Sequence, residues 1–216
     1  MDMKNMSKIA VVVLLLLFLV GCAGVPVREE VKVNMKAPVG TIEGNQFTGI
    51  RFPFNVSAPP NWQISTKYPK FMIDQGYHKE GLDESEVFIF NPTTQSNLQI
   101  DFTPAGRYST FDQQKMENLV NSVTGEFKDE VKDHYGKDVK SEEKPTEAVK
   151  LKGVAYAALK SGTFEAKGQK YEQGWLYAFN EPYQIFILYT VVGKDLTGDR
   201  QAIKAILDSF EVVAGK

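Results

Sequence analysis

The chain has 216 residues, 43% of them hydrophobic and 12% aromatic, which is enough for one folded domain with a substantial core. Its 25 basic and 27 acidic residues give a formal net charge of −2, which argues against nucleic acid or an anionic membrane surface as a partner. It has a single cysteine, which excludes an internal disulfide and a cysteine-based metal cluster.

Residues 1–21 have the organisation of a bacterial secretory signal. Lys4 and Lys8 precede an unbroken apolar run of twelve residues, Ile9–Val20. A membrane-spanning helix needs roughly 20 apolar residues, so the run fits the hydrophobic region of a signal segment. The alternatives are an ordinary secretory signal followed by a chance cysteine, or an uncleaved anchor.

The end of this segment, Leu19-Val20-Gly21-Cys22, resembles the lipobox of bacterial lipoproteins. In that family the cysteine thiol receives a diacylglycerol, and a peptidase then cuts the chain just before the cysteine. The resemblance implies that Cys22 carries the lipid, and two or three acyl chains hold a protein stably on a membrane where one chain does not. Ala23 follows, where aspartate would favour inner-membrane retention, so the outer membrane facing the periplasm is slightly favoured.

Residues 22–46 are predicted to be a flexible tether, because charges, prolines and glycines occur there without sustained periodicity. The alternation in residues 27–35, VREEVKVNM, could instead form a first strand. The globular domain is predicted to span residues 47–216. It opens with the alternating strand IRFPFNVS, residues 50–57, in which Pro53 indicates an edge strand or a bulge.

Two further strands, residues 86–92 and 97–104, precede a predicted amphipathic helix. Thr110 with Gln113 three residues later resembles a capping box, and apolar residues then recur at helical spacing until Gly136 ends the pattern. The amphipathic pattern predicts that this helix lies against a sheet.

The last third of the chain is predicted to be a three-stranded meander followed by a helix. The candidate strands are residues 153–166, 169–179 and 183–192, separated by the turn segments KGQ and NEP. Asp199 is predicted to cap the final helix, and a short strand, FEVV, follows it.

This order of elements resembles the PsbP-like fold, which is shared by an extrinsic subunit of photosystem II, a Ran-binding nuclear import factor and many bacterial lipoproteins. The segments FNVSAPPNWQIS, residues 54–65, and AIKAILDSFEVV, residues 202–213, carry the resemblance. It implies an α+β domain in which an antiparallel sheet has helices on both faces. Because these are packing motifs, the resemblance transfers no functional residue and implies little about activity.

Few residues suggest catalysis or metal binding. Glu130 and His134 are four residues apart and could share a helix face, but this pattern is typical of a solvated helix end. His78 lies in a polar loop. An acidic group in the same loop, formed by Asp83, Glu84 and Glu86, could serve a hydrolase only if two carboxylates were held about 5–10 Å apart. We predict no catalytic residue, no cofactor and no metal.

Aromatic residues are the better indication of a binding surface. Trp62, Tyr68, Phe71 and Tyr77 occur in one stretch rich in turn residues, and loops often carry recognition residues. We therefore expect a possible recognition loop there, although most aromatics of a domain this size belong to its core.

Taken together, these features predict a lipid-anchored, non-enzymatic binding or assembly module of the bacterial cell envelope, with another envelope protein as its partner. The first alternative is capture of a small ligand in a cleft between sheet and helix. The second is an envelope hydrolase that uses the loop carboxylates.

Overall fold

The computed structural model describes residues 28–29, 31–75, 86–107, 109–123 and 127–213, except the side chains of Val123 and Glu130. The predicted signal segment, the lipobox and Cys22 therefore lie outside the described residues, as do the loop residues Tyr77, His78, Asp83 and Glu84. The chain divides into two compact units. In the small unit, the backbone and guanidinium of Arg28 donate to carbonyl oxygens of residues 106–109, and the large unit contains the helices and strands.

Twelve strands occur in the described part of the chain. They are β1 Gly40–Glu43, β2 Gln46–Gly49, β3 Phe54–Ser57, β4 Gln63–Ser65, β5 Val87–Phe90, β6 Asn97–Pro104, β7 Ser141–Glu143, β8 Glu147–Ala148, β9 Tyr156–Ala166, β10 Gln169–Asn180, β11 Tyr183–Gly193 and β12 Glu211–Val212. Four helices accompany them. They are α1 Lys70–Asp74, α2 Gln113–Val123, α3 Phe127–Tyr135 and α4 Thr197–Ser209.

The strands form two antiparallel sheets. The large sheet has the order β4-β5-β6-β11-β10-β9-β7, with β8 also paired to β9, and the small sheet has the order β1-β2-β3-β12. The meander expected from the sequence is present as β9, β10 and β11. Lys167 and Gly168 connect β9 to β10 with φ values of 52° and 72°, the positive values that a tight hairpin turn of matching twist needs.

Helices cover both faces of the large sheet, so the α+β architecture expected from the sequence is confirmed. The inner face carries residues such as Ile100, Leu176 and Ile187 and packs against α4 and the small sheet. The outer face carries Trp175 and Phe179, and α2 and α3 pack against it over β9 and β10.

The main core joins the two segments that carried the sequence resemblance. The Phe54 ring of β3 stacks on Phe102 of the large sheet, with centroids 4.6 Å apart, and lies 5.7 Å from Phe210 at the end of α4. Val212 of β12 then pairs with Phe54 in the small sheet. Residues 54–65 and 202–213 therefore pack against each other, which explains why both segments have packing-type sequences.

The folded part begins before the predicted boundary at Phe47. Residues 40–43, which were expected to be tether, form β1 and pair with β2 across a turn in which Gly44 has a φ of 60°. Val33 and Val39 also pack on the main core. The alternative strand at residues 27–35 is absent from the described residues of that segment.

Strand β3 is internal, not the edge strand that Pro53 suggested. It lies between β2 and β12, and Pro53 precedes its first residue, so the missing N–H removes no bond from the ladder. The Pro53 carbonyl still accepts a hydrogen bond from the N–H of Val213 at 2.9 Å.

The predicted long helix is two helices, α2 and α3. Asp112, not Thr110, caps α2, because its carboxylate accepts the N–H of Lys115 at 2.7 Å. The last helix starts at Thr197, two residues before the predicted cap Asp199. Asp199 instead accepts hydroxyl hydrogen bonds from Thr94 and Ser96, each 2.6 Å long, and thereby ties α4 to the connection between β5 and β6.

No helix within the described residues is long and apolar enough to cross a membrane.

Candidate ligand-binding clefts

A row of polar side chains crosses the centre of the outer face of the large sheet. Thr190 of β11 is the cross-strand partner of Gln173 of β10 on one side and of Asn97 of β6 on the other. Because neighbouring strands lie about 4.8 Å apart, the row spans roughly 10 Å. The flanking positions on the same face of β10 are Tyr171 and Trp175, so in this strand the row interrupts an aromatic stretch.

The members of this row differ in whether their side chains have a hydrogen-bond partner. Asn97 is 9% exposed, and its amide nitrogen donates to the backbone carbonyl of Gln95 at 3.0 Å. The side chains of Gln173 and Thr190 are half-buried and make no hydrogen bond to the described residues. Their donors and acceptors therefore remain available to water or to a ligand.

The polar row forms the floor of a cleft of about 560 Å³. Met72 of α1 and Gln75, the residue after α1, contribute to its lining, and the end of α3 contributes His134 and Tyr135. We call this the amide cleft, because its lining includes five carboxamide side chains. They are Gln75, Gln95, Asn97, Gln99 and Gln173.

An aromatic cluster also lines the amide cleft. Tyr171 stacks on Phe164 with centroids 4.7 Å apart and an interplanar angle of 3°, and Tyr135 lies 5.4 Å from Tyr171. Burial raises the pKa of Tyr171, so its hydroxyl stays protonated at neutral pH and can both donate and accept hydrogen bonds. The ammonium of Lys167 lies 5.7 Å from the centre of the Tyr135 ring.

The amide cleft has no carboxylate among the described residues that line it. His134 is exposed at its rim, whereas the side chain of Glu130, its expected companion, is not described. In the described part of the chain no group of three or more histidine, cysteine or acidic residues is placed to hold a metal. The described lining therefore offers amide, hydroxyl and imidazole groups, the ammonium of Lys167, and aromatic and aliphatic surface.

A second groove, of about 390 Å³, lies on the inner face between α4 and the sheet. We call it the helix groove. Half of its lining residues are aliphatic, among them Leu151, Leu159, Leu176, Val191 and Ile203, and most of the others are charged.

A buried carboxylate lies at one end of the helix groove. Glu172 has a side chain that is 6% exposed, and its Oε2 accepts hydrogen bonds from Arg200 Nε at 2.9 Å and from Lys144 Nζ at 3.1 Å. The hydroxyl of Tyr189 donates to Oε1 at 3.4 Å. Burial, and then the negative charge of Glu172, raise the pKa of Tyr189, so this hydroxyl stays neutral. The carboxylate is thus fixed by cations, and its contacts connect β10 to α4.

The residues expected in a recognition loop have separate locations. Trp62 is 8% exposed and belongs to the main core. Tyr68 contacts Phe88 with ring centroids 4.5 Å apart and is half-buried, as is Phe71, while Tyr77 lies outside the described residues. From this segment it is the neighbours Met72 and Gln75 that line the amide cleft.

Glu86, the described member of the expected acidic loop group, is buried. It is 3% exposed, and its carboxylate pairs with the Arg51 guanidinium at 3.4 Å. This pairing explains its burial and removes it from the solvated surface on which a loop carboxylate would act.

Sequence reasoning missed the polar row. The available signal was a polar residue within a strand whose other residues on the same face are aromatic, as Gln173 is between Tyr171 and Trp175. That signal locates one member only, because Asn97 and Thr190 become its neighbours through strand pairing.

Comparison with known proteins identifies the fold. No family model and no curated protein matches the chain. The solution structure of cyanobacterial PsbP (CyanoP) from Synechocystis is similar, with a TM-score of 0.52 and 13% identity over 82% of this chain and 100% of that one. The chain therefore has a PsbP-like fold, and at this identity the likeness concerns the fold alone.

Two further solved structures are more distant. A protein from Bacteroides thetaiotaomicron has a TM-score of 0.47 and 13% identity over 80% of this chain and 50% of that one. LpqN, which is involved in cell envelope biogenesis of Mycobacterium tuberculosis, has a TM-score of 0.44 and 12% identity over 74% of this chain and 83% of that one.

Proposed function

We propose that this protein is a lipid-anchored, non-enzymatic binding module of the bacterial cell envelope, which holds another envelope component in the amide cleft. The lipid is attached to Cys22, and the favoured location is the outer membrane, facing the periplasm, in an envelope with two membranes. The lipobox-like sequence Leu19-Val20-Gly21-Cys22 supports the anchor.

The observation that carries the binding role is the polar row on the outer face of the sheet. A fold gains stability when the centre of a sheet is apolar and covered, whereas Gln173 and Thr190 are half-buried there without a hydrogen bond to the described residues. Such groups on rigid central strands are suited to holding a ligand in a defined orientation.

We expect a photo-crosslinking amino acid at the position of Gln75 to give a discrete, slower-migrating adduct in living cells after illumination. Gln75 is exposed and lines the amide cleft, so a bound component lies within reach of its side chain. The measurement is gel migration of the full-length tagged protein with and without illumination.

The matched control carries the same amino acid at the position of Gln201, which is exposed on α4 and is not among the residues lining the amide cleft. A variant with Cys22→Ala tests the anchor in the same cells, because it should fail to incorporate labelled palmitate and should lose the adduct. Equal adducts at both positions would contradict the cleft as the binding surface. Palmitate labelling of the Cys22→Ala variant would contradict the lipid anchor.

The helix groove favours a second candidate function, capture of a small aliphatic ligand. Its aliphatic lining and volume of about 390 Å³ suit an apolar guest, and the position between sheet and helix is the one that a ligand-capture role requires. Tyr189 is the one aromatic side chain among the described residues that line this groove.

If the helix groove holds such a ligand, mass spectrometry of an organic extract of the purified protein should detect a co-purified aliphatic compound. Leu207→Trp, which fills the groove from α4, should lower its amount several-fold while the melting temperature stays within a few degrees. Leu119→Trp, a half-buried change on α2, is the control and should leave the amount unchanged. Equal amounts of the aliphatic compound in extracts of the two variants would argue against this function.

A further inference from the structure

We infer that the component held in the amide cleft is an uncharged saccharide chain. This inference rests on the proposed function, because it names the ligand of the same cleft. Three observations carry it: the order of hydrogen-bonding groups on the cleft floor, the aromatic cluster beside them and the charge of the lining.

The floor matches the hydrogen-bonding chemistry of sugars. A carboxamide presents two N–H donors and a carbonyl acceptor, and a hydroxyl donates and accepts at one atom. The row from Asn97 through Thr190 to Gln173 therefore alternates amide, hydroxyl and amide over roughly 10 Å. A sugar ring displays several hydroxyls that each donate and accept, so neighbouring rings of a chain can satisfy the whole row.

The aromatic cluster supplies the second element of a saccharide site. A pyranose ring has a face of C–H groups that packs against an aromatic surface while its hydroxyls point sideways. Tyr171 and Tyr135 line the same cleft as the polar row, and their rings lie 5.4 Å apart. A ring lying against this cluster would thus direct its hydroxyls towards Gln173, two residues along β10 from Tyr171.

The low charge of the described lining favours an uncharged ligand over the other ligand chemistries. No carboxylate is present among its described residues, so a polycation finds no opposite charge there. Lys167, over the Tyr135 ring, is the one lysine or arginine in the described lining, and a single exposed cation is too little charge to select a polyanion. An apolar guest would bury Gln173 and Thr190 without partners, at a cost for each polar group. A neutral polyhydroxylated ligand satisfies both conditions.

Isothermal titration calorimetry on the full chain, in a zwitterionic detergent that has no sugar headgroup, tests the inference. The probes are triacetylchitotriose and cellotriose as neutral trisaccharides, and trigalacturonate as a charged one. We expect at least one neutral trisaccharide to bind with a Kd below the millimolar range, and trigalacturonate to bind at least tenfold more weakly.

Variants locate the binding. Gln173→Ala combined with Thr190→Val removes the unsatisfied groups of the floor and should weaken binding by at least roughly tenfold, since each lost hydrogen bond costs up to about a factor of ten. Gln173→Glu keeps the size of the side chain and adds a charge, and it should weaken binding in the same way if the double variant fails to fold. Gln201→Ala, an exposed change on α4, should leave the Kd unchanged.

Two results would overturn the inference: no binding of either neutral trisaccharide at millimolar concentration, or binding that the floor variants leave unchanged. The crosslinking result then separates this failure from that of the proposed function. A protein adduct specific to position 75 would sustain the binding module and make its ligand a protein. Absence of any specific adduct would remove the proposed function as well.

Discussion

Phe54→Ala is expected to lower the free energy of unfolding by about 3–5 kcal/mol, the range for truncating a buried phenylalanine. The ring is 1% exposed and contacts three other phenylalanines, with centroid distances of 5.1 Å to Phe47, 4.6 Å to Phe102 and 5.7 Å to Phe210. These partners belong to the small sheet, the large sheet and the end of α4. The cavity left by alanine would therefore weaken the contact between the two sheets and α4 at once.

Urea-induced unfolding of the two proteins measures this loss. Phe71→Ala is the matched control, because Phe71 is half-buried and, among the described residues, its ring packs against one other ring, that of Phe90 at 5.8 Å. Its substitution should cost no more than about 1–2 kcal/mol. Equal losses for the two variants would mean that Phe54 is not central to the core.

Glu86→Ala is expected to cost roughly 3 kcal/mol, because removing one partner of a buried ion pair leaves the other charge uncompensated. The Glu86 side chain is 4% exposed and that of Arg51 is 14% exposed. Arg51 also donates to the carbonyl of Ala37 at 3.1 Å, so its guanidinium connects the segment before β1 to the start of β5. The measurement is again urea-induced unfolding.

A double variant separates the charge effect from a packing effect. Arg51→Met combined with Glu86→Leu replaces both charges with apolar groups, and it should recover most of the stability that Glu86→Ala loses. Asp74→Ala is the exposed comparison, since Asp74 pairs with Lys70 on the surface of α1 and should contribute less than about 1 kcal/mol. A double variant as unstable as Glu86→Ala would show that the charges are not the cause.

Strands β3, β5, β6 and β9 to β11 were predictable from the sequence because their signals are local, whereas the short strands β1, β2, β4, β7 and β8 were not. In β6 and in the meander β9 to β11, apolar and polar residues alternate because successive side chains face the core and away from it. This alternation can be seen within the sequence of a single strand. The break between α2 and α3 was not predictable, because the apolar spacing from Met116 to Val131 runs on without interruption. The cap of the last helix was misplaced because Asp199 bonds to Thr94 and Ser96, far away in sequence.

The candidate site depends on pairings that are distant in sequence, which is why single residues did not reveal it. Asn97 and Gln173 become members of one row only because β6 and β10 flank β11. The aromatic composition of the stretch from Trp62 to Tyr77 suggested a recognition loop, yet Trp62 is part of the core. Composition indicates how many aromatic rings a region has, whereas topology decides which of them meet a ligand.

The edges of the large sheet bear on self-association. Its outermost strands, β4 and β7, have three residues each, so each offers only about 10 Å of unpaired backbone, while the long strands β9, β10 and β11 lie inside. Short edges, one of them carrying Glu142 and Glu143, oppose the edge-to-edge pairing through which β-rich proteins aggregate. The large sheet therefore offers little for a second copy to pair with along its edges.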